Sequence, residues 1–80
     1  MHERRKFPRT HVQRPARLLT EEPLPIDCLV LDLTNSGAGI RVQDSSLLPG
    51  TLDLTFDSGR SHRSCRLVWR LADRIGVEFR

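Results

Sequence analysis

Apolar and polar residues alternate with a period of two along much of this 80-residue chain. In "TLDLTF" (51–56) Leu52, Leu54 and Phe56 share one parity and Thr51, Asp53 and Thr55 the other. "SCRLVWRLA" (64–72) repeats the pattern, with Cys65, Leu67, Trp69 and Leu71 opposite Ser64, Arg66 and Arg70. "RIGVEFR" (74–80) does so again, with Ile75, Val77 and Phe79 inward. Such alternation marks strands with one face buried. On this pattern Trp69 packs in the core by default.

Three further runs read as strands. "HVQRPARLL" (11–19) carries Val12, Ala16 and Leu18 on one parity, and its Pro15 marks an edge or a bulge. "IDCLVLDL" (26–33) is apolar on both faces, as a central or doubly covered strand is. "GIRV" (39–42) follows a tight glycine-containing turn. Turn-forming residues separate the runs, in "EEPLP", "NSGAG", "DSSLLPG", "DSGRS" and "ADR". No run has sustained helical periodicity, although "DSSLL" suits a single turn. The expectation is an all-β fold, a six-stranded antiparallel β-barrel with little or no helix, because closure removes the exposed edges of an open sheet. Residues 11–80 form that barrel, and residues 1–10 stand outside it as an extended arm, since Pro8 disfavours helix at Phe7.

Length and composition fit one small soluble domain, and no apolar run is long enough for a membrane span or a signal-peptide core, which predicts a cytoplasmic protein. The distribution of charge says more than its total. Residues 1–17 hold six cations (Arg4, Arg5, Lys6, Arg9, Arg14 and Arg17) against Glu3, whereas the rest has seven cations and nine carboxylates. The overall +3 is therefore a property of the N-terminus, which calls for an anionic partner: nucleic acid, nucleotide or membrane surface.

Catalytic chemistry finds little support. His2, His11 and His62 make no metal-ligand pattern, and no nucleophile–base pair or phosphate-binding P-loop stands out. Cys28 and Cys65 lack the spacing of a zinc or redox site; two reduced, buried thiols are expected, with a disulfide left open. A binding module without metal or cofactor is the class indicated. Two stretches carry the candidate chemistry. "ERRKFPR" (3–9) is dense in arginine. "DLTNSGAGI" (32–40) offers the Asp32 carboxylate, the Thr34 hydroxyl two residues on, and Gly37, where backbone can approach a neighbour closely. By itself the second stretch is an ordinary turn.

Together, "RRKFPR" and "DLTNSG" resemble the two motifs of the PilZ domain family: an RxxxR arm met by Arg5 and Arg9, and a [D/N]xSxxG turn met by Asp32, Thr34 and Gly37. The closing "CRLVWRLADRIGVEF" is similar to the family's last hairpin, so the resemblance covers nearly the whole chain. It implies a cyclic di-GMP-binding receptor or adaptor, not an enzyme. The arm and turn would clamp the dinucleotide and relay the signal to a downstream protein partner. Arginine suits the ligand because it forks onto phosphate or guanine O6 and N7 and stacks on bases, while Asp32 can accept from guanine N–H groups. Arg4, ahead of the motif, would stack on or pair with a second ligand molecule, and the family places a Trp near the ligand at a position matching Trp69. Arg41 and Arg70 would supply outer charge.

Two departures stand out. Thr34 replaces the usual Ser, adding a methyl group, and the chain stops one residue past the last strand, without the C-terminal helix of some relatives. Leu29 and Leu31 would then take cover from another protomer or protein. The expected assembly is a monomer or weak dimer without membrane insertion. Two alternatives stay open: a PilZ-like adaptor that works without nucleotide, and a small basic barrel for RNA or single-stranded DNA. The latter is disfavoured by the shortage of outward aromatics for base stacking.

Overall fold

The computed structural model describes residues 10–80, and the candidate residues Arg4, Arg5 and Arg9 lie outside them. Six strands form: β1 (Thr10–Leu19), β2 (Ile26–Leu33), β3 (Gly37–Arg41), β4 (Thr51–Thr55), β5 (Arg63–Leu71) and β6 (Arg74–Phe79). They close into an antiparallel barrel in the order β1-β2-β3-β6-β5-β4, with β1 also pairing to β4. This is the all-β architecture that the alternation predicts. β1 begins at Thr10, and β3 begins two residues before the expected Gly39, because the 34–37 turn is tighter than the glycine run suggests.

The period-two positions fill the interior. Ala16, Leu18, Val30, Ala38, Ile40, Leu52, Leu54, Cys65, Ile75 and Val77 are buried, one or two from every strand. Phe56 and Phe79 finish the core and are partly covered by cations: the Arg14 and Arg63 guanidinium carbons each lie 4.2 Å from a ring centroid. Pro15 falls in a part of β1 that has no β4 partner, since that pairing runs only from Arg17 to Leu19, so no β4 ladder bond needs its missing N–H. Both cysteines are free. Burial, then the nearby Asp27 charge, pushes the Cys28 thiol up to about 12; burial, then Asp53, pushes Cys65 to about 11.

"DSSLL" makes one short 3-10 turn, Ser45–Leu47, capped by Asp44, whose Oδ1 accepts from the Ser46 N–H at 3.0 Å and its hydroxyl at 2.7 Å. The turn is tied to the β5–β6 hairpin. The Ser45 N–H donates to the Ala72 carbonyl at 3.0 Å, the Ser45 hydroxyl to the Leu71 carbonyl, and Arg70 to the carbonyls of Ser45 and Leu48 at 2.6 and 3.1 Å. Among the described residues no helix is long and apolar enough to cross a membrane.

Three strands contain an extra residue: β1 has one between His11 and Arg14 opposite β2, and the insertions in β2 and β5 shape the outer surface. Opposite β3, Val30 pairs with Ile40 but Asp32 pairs with Gly39, so Leu31 is a bulge in β2. Opposite β6, Leu67 pairs with Val77 but Trp69 pairs with Gly76, so Val68 is a bulge in β5. Each extra residue shifts the alternation by one and turns the rest of its strand to the other face. Trp69 and Leu71 are therefore outside the barrel, 45% and 61% exposed, not in the core as simple alternation requires. Arg70 moves the other way. It falls in the row of Val30, Ile40 and Ile75, is exposed, and holds the 3-10 turn through its guanidinium.

Candidate functional site

The bulges in β2 and β5 bring one row of residues together across four strands. Asp32 on β2 pairs with Gly39 on β3, Gly39 with Gly76 on β6, and Gly76 with Trp69 on β5. Without the bulges Asp32 and Trp69 would point into the barrel; with them, both stand on the outer face with two glycines between. Gly76 is required by the ring that lies on it, and Gly39 is closely covered by the Asp32 carboxylate. A Cβ on Gly39 would come within 3.0 Å of an Asp32 carboxylate oxygen, and a Cβ on Gly76 would sit inside the Trp69 indole, 2.8 Å from Cζ2 and nearer still to Nε1 and Cε2. The carboxylate and the indole thus lie down on a glycine floor. The Gly39 N–H donates to Asp32 Oδ1 at 3.1 Å, which fixes the carboxylate and leaves its second oxygen as an acceptor.

This row runs through an open depression of about 440 Å³, whose walls include Asp32, Thr34, Gly37, Val68, Trp69 and Arg74. Thr34 organises its rim. Its hydroxyl oxygen accepts from the N–H groups of Ser36 and Gly37 at 3.2 and 3.1 Å, and its own N–H donates to the Gly37 carbonyl at 2.9 Å. Gly37 is needed for packing: a Cβ there would strike the Val77 carbonyl oxygen. The close approach expected at Gly37 is therefore to β6 in this structure. On one side of the floor Glu78 is neutralised by Arg66 in an ion pair of 2.5 Å. On the other, Arg41 and Arg74 face each other across β3 and β6.

Of the residues singled out from sequence, the structure brings Asp32, Thr34, Gly37 and Trp69 to one depression. Arg4, Arg5 and Arg9 precede β1, whose first pairs are Thr10 with Leu33 and His11 with Asp32, so the chain enters the barrel beside the same row. Gly39, Gly76 and Arg74 were missed. Glycine inside an alternating strand is the readable sign of a close approach, and "GAGIR" and "RIGVEF" both carry it. Nothing in the pattern marks Arg74.

A larger depression, about 540 Å³, lies elsewhere, among Leu19, Glu21, Glu22, Leu47, Asp53 and Cys65. Three carboxylates with one arginine (Arg80) in its wall make it a poor host for an anionic ligand. The depression at the glycine floor is the better candidate.

The family model of the PilZ domain matches residues 3–80, nearly the whole chain, and no curated protein matches it. The chain belongs to the PilZ domain family.

Proposed function

From membership of a family of cyclic di-GMP-binding adaptor domains, we propose that this chain is itself a cyclic di-GMP receptor, with its site on the glycine floor. The observation that carries the reading is the row Asp32–Gly39–Gly76–Trp69 with the arginine-rich segment joining the barrel at its end. A guanine stacks on the outer face of the Trp69 indole, whose inner face rests on Gly76. Base–aromatic stacking of this kind is worth about 1–3 kcal/mol. The free oxygen of Asp32 accepts from the guanine N–H edge while Gly39 holds the other.

Arg5 and Arg9 supply the second jaw, forking onto phosphate or onto guanine O6 and N7. Their reach is adequate: Arg9 is adjacent to Thr10, and the five residues from Thr10 back to Arg5 span up to about 17 Å. Arg4 extends the same jaw towards a second ligand molecule. Thr34 and Gly37 act by holding the rim, since the hydroxyl serves the turn's own amides. Ligand over Trp69 changes the shape and charge of a surface that also exposes Val68 and Leu71, and that surface relays the signal to a protein partner. No cofactor enters this scheme.

Trp69 is the chain's single tryptophan, so its fluorescence reports the site without ambiguity. Titration with cyclic di-GMP is expected to quench it saturably, and Asp32→Asn to weaken that titration at least tenfold, about 1.4 kcal/mol. Quenching that is linear in ligand, with no saturation, would contradict the proposal.

A further inference from the structure

Two arginines are paired across strands at the edge of the glycine floor. Arg41 and Arg74 are direct cross-strand partners, one outward row beyond the Gly39–Gly76 pair, a step of about 7 Å along each strand. Their neighbours in that row are Leu29 and Leu71, so the row itself provides no countercharge. Like charges placed directly opposite destabilise a strand pair, which makes the arrangement one that an anion would relieve. Other arginines around the barrel have acceptors: Arg17 meets Asp27, Arg66 meets Glu78, and Arg70 holds two main-chain carbonyls. Among the described residues neither Arg41 nor Arg74 is in an ion pair.

Arg74 carries a second mark. Its side chain lines the depression, yet its Nε is covered and has no hydrogen-bond partner among the described residues. A buried donor left unmet is unfavourable, so the resting side chain gains by turning to present Nε and a terminal nitrogen to a two-oxygen acceptor. We propose that Arg41 and Arg74 form a phosphate-binding edge to the site, and that Arg74 takes a phosphodiester of the bound dinucleotide. This inference rests on the reading of the depression as the cyclic di-GMP site. With a base on Trp69, the sugar leads away from the row Asp32–Trp69, and the next outward row offers these two cations. The pair therefore selects for phosphate over an unphosphorylated guanosine that satisfies Trp69 and Asp32 equally well.

The test follows the Arg74 Nε–Hε resonance by NMR and measures affinity for wild type, Arg74→Gln and Arg41→Gln at two salt concentrations. Cyclic di-GMP is expected to shift that resonance, whereas guanosine leaves it in place. Each substitution should weaken cyclic di-GMP at least tenfold and flatten the salt dependence, with Trp69 quenching at saturation retained. A wild type that binds cyclic di-GMP while both variants bind equally well, with the same salt dependence and an unmoved Arg74 resonance, overturns the inference and leaves the site assignment standing. If wild type does not bind cyclic di-GMP, the site assignment fails and pyrophosphate decides the edge. A pyrophosphate-induced Arg74 shift that Arg41→Gln abolishes sustains it as an anion site. No shift overturns it.

Discussion

Gly76→Ala is the sharpest perturbation of the site because it adds one methyl group where the indole now lies. The new Cβ would fall within 3.0 Å of three ring atoms, the farthest of them Cζ2 at 2.8 Å. Carbon contacts relax only at about 3.5–4.0 Å, so the ring must rise or swing by roughly 1 Å or more. The barrel itself has little reason to object. Gly76 is on the outer face with ordinary extended backbone, and alanine in a strand is better by about 0.5–1 kcal/mol than glycine. The loss is expected in binding alone, of the order of the stacking term, about 1–3 kcal/mol or roughly tenfold to over a hundredfold. Trp69 emission in the free protein should move to the red as the ring leaves the sheet, while the thermal midpoint stays level or rises. Unchanged emission and unchanged affinity for cyclic di-GMP would refute the glycine-floor argument. A large fall in stability would show that Gly76 serves the fold.

Other expectations rest on the same contacts. Thr34→Val removes the acceptor for the Ser36 and Gly37 N–H groups and should cost about 1 kcal/mol in urea unfolding, whereas Thr34→Ser should be near neutral. Arg70→Ala releases the 3-10 turn from β5 and should lower stability by about 1–2 kcal/mol without altering ligand affinity, since Arg70 turns away from the floor. Stability should also fall above about pH 9. The unfolded chain sheds its thiol protons near the ordinary value of 9.0, whereas Cys65 and Cys28 keep theirs to about 11 and about 12 when folded. Proton binding then favours the folded state less as pH rises through that window. The urea midpoint measured from pH 8 to 11 checks this, and an equal decline in the Cys28→Ser, Cys65→Ser double variant would refute the assignment.

The barrel was legible in the sequence because a small closed sheet has to bury one face of every strand. Leu52, Leu54, Ile75 and Val77 announce that face by spacing alone. The site was legible only in part, and the reason is physical. Period-two reading assumes an unbroken ladder, and a single inserted residue inverts everything after it. Val68 is such a residue, and it carries Trp69 and Leu71 outward and puts Arg70, still exposed, in the row of Ile75 against the alternation. Leu31 does the same for Asp32, which shares the parity of the buried Val30 yet stands on the opposite face. Asp32 is offered by the turn's own chemistry and Trp69 only by family resemblance, while the reason they share a face is the pair of bulges, with two strand glycines between them. The close backbone approach read at Gly37 is to the Val77 carbonyl of β6, a partner that no linear pattern names. Arg74 depends on a cross-strand partner and on burial of one nitrogen, neither of which a linear pattern expresses.

The most direct test of the central claim is calorimetric titration of the whole chain with cyclic di-GMP at moderate salt, beside Arg9→Ala and with GTP as the control ligand. The account predicts saturable binding that falls at least tenfold in the variant, the loss of one charge-assisted contact of about 1.5–3 kcal/mol, and no heat with GTP. Its stoichiometry reads out whether Arg4 brings in a second ligand molecule. An absence of heat with cyclic di-GMP, together with no quenching of Trp69, would contradict the receptor assignment and leave the chain as a PilZ-fold adaptor that acts through protein contacts alone.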